Sequence, residues 1–189
     1  MNVSLKYTTQ NQLLLNNLMD FYRNEENLTR MLKIITGESK ISLRIVDWFA
    51  TNYAKKNYTL YTINDPIKQP IRFKVYFDYK LKLKAYSKKR FDPFCRWERI
   101  VIPYKDGTSI ETTIGQLNFF KWALENRVID YIEENYATIE NDMNSRNSTS
   151  KRKETIVDNS KTRKKREELS VSATKSIKKE EVEIVLQFH

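Results

Sequence analysis

Residues 72–102 read RFKVYFDYKLKLKAYSKKRFDPFCRWERIVI, and the fold turns on how this stretch is taken. From Phe73 the residues alternate. Phe73, Val75, Phe77, Tyr79, Leu81, Leu83 and Ala85 form one set, and Lys74, Tyr76, Asp78, Lys80, Lys82 and Lys84 form the other. A period of two places the first set on one face of a β-strand and the second on the opposite face. The expectation is a core strand over residues 73–85 with a wet, basic outer face. Each larger apolar side chain would contribute about 1.5–3 kcal/mol on burial, before entropy.

The flanking sequence supplies partners for that strand. Residues 99–102 resume an apolar β run, Tyr104-Lys105-Asp106-Gly107 is turn chemistry, and residues 108–112 can pair back as a hairpin. Thr113 then caps one long helix, expected over residues 114–139, on the spacing of Leu117, Phe120, Leu124, Val128, Ile132 and Tyr136, with Phe119 and Trp122 beside the stripe. Upstream, YTLYTI at residues 58–63 reads as a short strand ended by Asn64-Asp65-Pro66.

Three helices precede it. Residues 10–23 carry Leu14, Leu15, Leu18 and Phe21 or Tyr22, and residues 25–36 carry Leu28, Met31, Leu32 and Ile35 before Gly37. The third, capped by Ser39 and running to Ala54, carries Ile41, Ile45, Trp48, Phe49 and Tyr53. The fold class is therefore α+β, with N-terminal helices and one long helix packed on a mainly antiparallel sheet.

Past Glu140 the composition changes to NDMNSRNSTSKRKETIVDNSKTRKKREE, polar and nearly free of aromatics. The expected organisation is a globular domain over residues 1–140, a disordered basic linker over 141–168, and a terminal strand segment over 169–189. That last segment alternates at Val182, Ile184, Leu186 and Phe188, and could return to the sheet edge or to a partner.

The totals set limits on function. A chain of 189 residues with 40% hydrophobic content suits one core plus an appendage, and 3 glycines with 4 prolines favour long elements over a sandwich. The net charge of +10 draws the molecule to polyanions, whether nucleic acid, an anionic membrane face or an acidic protein. One cysteine, Cys95, and one histidine, His189, exclude a disulfide framework and a four-ligand structural zinc site. No apolar run of membrane length and no basic-then-apolar leader pattern is present, so a soluble intracellular protein is expected.

Positive charge concentrates in the deciding stretch. Lys80, Lys82, Lys84, Lys88, Lys89, Arg90, Arg96 and Arg99 face only Asp92 and Glu98, a net of +6. On a strand face the first three lysines could track phosphates, with Tyr76, Phe91, Phe94 and Trp97 available for base stacking. These eight residues are the expected nucleic-acid-binding set, against the alternative of a solvated face whose lysines deter edge aggregation. In the tail, Lys151-Arg152 followed by Arg163-Lys164-Lys165-Arg166 resembles a bipartite nuclear localisation signal, and such runs also serve as nucleic-acid arms.

Catalytic patterns are sparse. Asp78 and Lys80 on one strand face, with Asp65 in an upstream turn, loosely resemble the PD-(D/E)xK nuclease motif, although Asp65-Pro66 stands in reversed order. Cys95 lacks a histidine partner nearby in the sequence and reads as a buried structural thiol. The expectation is no catalytic residue, no metal and no cofactor.

Three segments, KISLRIVDWFATNYAKKN (40–57), YSKKRFDPFCRWERI (86–100) and TTIGQLNFFKWALENRVIDYIEEN (112–135), resemble a family of poorly characterised proteins of nucleocytoplasmic large DNA viruses, a resemblance that extends to iridovirus immediate-early proteins. Phe91-Asp92-Pro93-Phe94-Cys95-Arg96 is its most specific part, and Arg163 to Ser170 resembles the family's C-terminal end. The resemblance implies an origin in a large DNA virus or in virus-derived DNA. It brings no catalytic residue, and members tend to carry Arg where this chain has Trp97. A non-enzymatic nucleic-acid- or nucleoprotein-binding role during infection follows as the leading expectation. The alternatives are a virion-assembly protein meeting an acidic protein partner, then the metal-dependent nuclease.

Overall fold

The computed structural model describes residues 10–64, 69–104, 108–154 and 179–181, with side chains left aside at 147–154 and 179–181. The chain opens with α1 (Gln10–Tyr22) and α2 (Glu25–Thr36), then α3 (Leu43–Trp48), which passes through a π-helical turn (Phe49–Tyr53) into α4 (Ala54–Lys56). There follow β1 (Leu60–Ile63), β2 (Ile71–Lys74), α5 (Val75–Arg90), β3 (Arg99–Pro103), β4 (Thr108–Thr113), α6 (Ile114–Glu125), α7 (Val128–Glu134), α8 (Tyr136–Glu154) and β5 (Lys179–Glu181). The α+β class holds.

Local chemistry sets several boundaries. The Asn24 side chain accepts from the Glu26 N–H at 3.0 Å, acidic Glu25 and Glu26 occupy the positive end of α2, and Gly37 (φ 80°) ends that helix in the left-handed conformation. The third helix is capped by Ser42, whose Oγ accepts from the Ile45 N–H, and not by Ser39, whose Oγ accepts from Ile41 N–H before the helix begins. The 99–112 hairpin forms in the expected sense, with Ile100 opposite Thr112 and Ile102 opposite Ile110.

The expected strand over 73–85 does not form. Only Ile71–Lys74 is extended, pairing antiparallel with β1 so that Phe73 faces Tyr61, and the chain then enters α5. Val75, Tyr79 and Leu83 are odd-numbered and also four apart, so the alternating row contains a helical row within it. Tyr76 and Tyr86 widen that row, and together these side chains meet the core. Tyr79 lies 5.9 Å from Phe91 and 6.0 Å from Trp122, ring to ring, contacts supplied by residues further along the chain. The intervening Lys and Leu residues are good helix formers, so nothing local resists. The remaining odd positions of the helix, Phe77, Leu81 and Ala85, face solvent.

The single long helix expected after Thr113 is three helices. Thr113 does cap the first, its Oγ accepting from the Gln116 N–H at 3.1 Å. The Asn126 and Asn135 amides then donate to the Trp122 and Tyr131 carbonyls at 2.8 and 2.9 Å, and Arg127 adopts a left-handed φ of 53°. Side chains thus take up carbonyls at the ends of α6 and α7, and the axis turns. The apolar stripe survives the break: Leu117, Phe120, Leu124, Val128 and Ile132 are all buried.

Helix α8 continues past residue 140 to Glu154. Ile139 and Met143, four apart, are buried, and the Asp142 carboxylate accepts from Lys56 Nζ at 2.7 Å and Trp48 Nε1 at 3.1 Å. Burial opposes the Asp142 charge, but those two hydrogen bonds and the positive charges of Lys56 and Arg146 hold its carboxyl below the ordinary range. Of the terminal segment, β5 pairs antiparallel with β4, Ile110 opposite Lys179. The alternating run at 182–188 lies outside the described residues, as do 155–178.

Candidate nucleic-acid interface

The loop between α5 and β3 is fastened by polar side chains of the first turns of α6. Gln116, wholly buried, donates from Nε2 to the Pro93 carbonyl at 2.9 Å and accepts from the Thr112 hydroxyl at 2.9 Å. Asn118 Nδ2 donates to the Arg90 carbonyl at 2.8 Å, and the Asp92 N–H donates to the Gly115 carbonyl at 3.1 Å. Gly115 is required by close approach, since a Cβ there would stand 2.9 Å from the Lys89 carbonyl oxygen. At the other end of this contact, Ser87 carries φ 59° and ψ 170°, a costly conformation for a residue with a Cβ, and kinks α5 before its last basic residues.

Within the loop, Phe91 through Cys95 are buried while Arg96, Trp97 and Glu98 are exposed. The Asp92 carboxylate accepts the Phe94 N–H at 3.1 Å and the Arg96 guanidinium at 2.8 and 2.9 Å in a forked arrangement. That hydrogen bond, foremost, raises the already high Arg96 pKa. Asp47 of α3 lies within the same field: burial first, then the Asp92 charge, push its carboxyl up to about 6, while Arg96 and Lys88 pull it back.

The eight basic residues separate by role. Arg96 is held by Asp92, and Arg99 pairs with Glu111 across the hairpin at 3.2 Å. Lys80 and Lys84 are exposed on α5 one turn apart, whereas half-buried Lys82 points elsewhere and lines a recess with Tyr86 and Asn118. Lys88 and Lys89 are exposed at the end of α5, and Arg90 Nη1 donates to Gln10 Oε1 at 3.2 Å. The strand face that was to align Lys80, Lys82 and Lys84 is therefore replaced by a helix that divides them.

Lys89 and Arg90 meet Trp97 and the acidic Glu98 in a groove of about 330 Å³, closed by Asn11, Gln12 and Leu15 of α1 and by Ile100 and Ile114. The Lys89 Nζ stands 5.9 Å from the centre of the Trp97 ring, which is 40% exposed. The α1 residues of this groove were missed in the sequence, because only the fold brings them beside residues 89–97. Gln116 and Asn118 left a signal that could have been read: polar residues placed within a strongly apolar helical stretch.

Asp78 and Lys80 do not share the strand face on which the nuclease reading places them, because both lie in α5. On a helix Asp78 and Lys80 point about 200° apart, and Asp78 Oδ1 accepts from the Trp122 indole N–H at 2.6 Å. Asp65 lies outside the described residues, and among the described residues no group of three or more His, Cys, Asp or Glu side chains gathers. Asp78→Ala strands a buried indole N–H and is expected to cost about 1–3 kcal/mol in urea unfolding. A loss below about 0.5 kcal/mol would remove Asp78 from the structural frame.

Cys95 is buried. In the tail, Lys151 and Arg152 belong to the last turn of α8, while Arg163, Lys164, Lys165 and Arg166 lie outside the described residues. No helix among the described residues is long and apolar enough to cross a membrane.

Comparison with known proteins agrees with the large-DNA-virus resemblance. The chain is 45% identical over 148 residues to "Uncharacterized protein L507" of Acanthamoeba polyphaga mimivirus, which covers 76% of this chain and 56% of that protein. The chain thus spans just over half the length of this relative. No solved structure matches the present chain. The model of the family of unknown function DUF7197 matches residues 1–189, and the chain belongs to that family.

Proposed function

We propose that the chain is a non-enzymatic nucleic-acid-binding protein whose contact surface centres on the groove of Lys89, Arg90 and Trp97. The observation that carries this reading is the exposed indole beside a lysine ammonium and an arginine. An unpaired base can stack on the ring while the cations meet its phosphates. Lys80, Lys84 and Lys88, which make no ion pair among the described residues, extend the positive surface along α5. The tail clusters Lys151, Arg152, Arg163, Lys164, Lys165 and Arg166 add charge for the same polyanion.

Binding of a labelled single-stranded oligonucleotide across a salt series tests this. The logarithm of affinity is expected to fall with log salt at about −0.7 per phosphate contacted. Trp97→Ala is expected to weaken binding by about 1–3 kcal/mol, and Lys88→Glu with Lys89→Glu to reduce both affinity and the salt slope. Absence of salt-sensitive binding by the full chain, or full binding by both variants, overturns the proposal.

A further inference from the structure

A second surface lies at the opposite end of α5. A groove of about 320 Å³ opens where β1 meets β2, its walls formed by Tyr58, Leu60, Tyr76 and Phe77. Tyr58 is 82% and Phe77 64% exposed, and Leu81, one helical turn beyond Phe77, is 65% exposed. Large apolar side chains left in water at adjoining positions mark an interaction surface more often than chance scatter. Tyr58 is also held at φ 48°, a left-handed conformation unfavourable for a residue with a Cβ.

Two further observations say what the groove receives. Thr59 lines it and is only 7% exposed, and its Oγ1 is the buried side-chain polar atom left without a hydrogen-bond partner among the described residues. Such a group costs free energy unless a partner is supplied. At the rim, the Lys55 Nζ stands 5.7 Å from the Tyr76 ring and the Lys74 Nζ 5.9 Å from the Phe77 ring. Both cations border the apolar walls. A nucleobase placed here would leave its edge donors and acceptors against apolar side chains, a costly burial. An aromatic or aliphatic side chain flanked by carboxylates matches walls and rim together.

We propose that this groove docks an acidic segment of a partner protein, with one apolar anchor residue seated between Tyr58 and Phe77 and carboxylates meeting Lys55 and Lys74. This surface is separate from the nucleic-acid groove.

The test is selection of a random twelve-residue phage-displayed peptide library on the full chain after nuclease treatment. Selected peptides are expected to combine Asp and Glu with a Phe, Trp or Leu. A synthetic copy should bind at least tenfold more weakly to Phe77→Ser. Tyr58→Ser, which removes the other exposed wall, should bind it at least tenfold more weakly as well. Lys55→Glu with Lys74→Glu should turn the selection toward peptides flanked by Lys and Arg. No enrichment, affinity unchanged in both single variants, or acidic peptides still selected after charge reversal overturns the proposal. So does sedimentation showing a dimer that Phe77→Ser dissociates, because the groove would then belong to a second copy.

Discussion

Phe91→Ala is expected to destabilise the fold by about 3–5 kcal/mol, the cost of deleting a large ring from a packed interior. Phe91 is 2% exposed and stands among four other rings, Tyr79 at 5.9 Å, Tyr86 at 6.3 Å, Phe119 at 5.3 Å and Trp122 at 5.6 Å. Those rings belong to α5 and α6, so Phe91 joins two elements that are distant in sequence. Its backbone neighbours are fixed as well, through the Asn118 bond to Arg90 and the Gly115 bond to Asp92. The loop therefore cannot collapse easily into the space left by the ring, which places the cost toward the upper end. Urea unfolding should show a lower midpoint with an unchanged slope, and Phe91→Leu should recover most of the loss. A loss below about 1 kcal/mol would mean that α5 is not anchored through this ring.

Arg96→Ala is expected to cost about 2–4 kcal/mol, somewhat below the range for a fully buried pair because the guanidinium side is 42% exposed. The damage comes from what remains. The Asp92 side chain is 4% exposed, and without Arg96 its carboxylate keeps only the Phe94 N–H among its present partners, beside the negative field of Asp47. Arg96→Lys is expected to rescue only part of the loss, since one ammonium cannot reproduce the two-pronged contact at 2.8 and 2.9 Å. Adding Asp92→Asn to Arg96→Ala should recover stability relative to Arg96→Ala alone, because the stranded charge is removed. A double variant less stable than the single one would overturn this account. The same measurement separates Arg96 from Lys88 and Lys89: charge loss at Arg96 is expected to lower stability, and charge loss at the exposed lysines to leave it within about 0.5 kcal/mol.

These cases show which parts of the chain could be read in one dimension. The bounds of α2 were legible because Asn24, Glu25, Glu26 and Gly37 act on their own backbone neighbours. The hairpin was legible for a similar reason, as turn residues separate two runs that pair with each other. The Thr113 cap likewise acts three residues away. Ser42 displaced Ser39 because two serines offer the same chemistry three residues apart, and only the path of the chain selects one.

The candidate surface was legible as charge and not as shape. The density of lysine and arginine between residues 80 and 99 is a property of the sequence, but the strand face drawn from it was not there. Once α5 forms, Lys82 turns away from Lys80 and Lys84, Arg96 and Arg99 are taken by Asp92 and Glu111, and Trp97 gains α1 as the other wall of a groove. Tyr58 and Phe77 likewise line one groove only because the chain entering β1 and the start of α5 converge.

For this protein the sequence alone determined the α+β class, the N-terminal helices, the antiparallel hairpin, the capped helix start and the concentration of positive charge, since each depends on residues within a few positions of one another. The tertiary structure decided that residues 75–90 are helical. Val75, Tyr79 and Leu83 satisfy a period of two and a period of four alike, so the local pattern leaves both open. Burial of Tyr79 against Phe91 and Trp122, and of the Trp122 indole against Asp78, favours the helix through contacts that span up to 44 residues of chain.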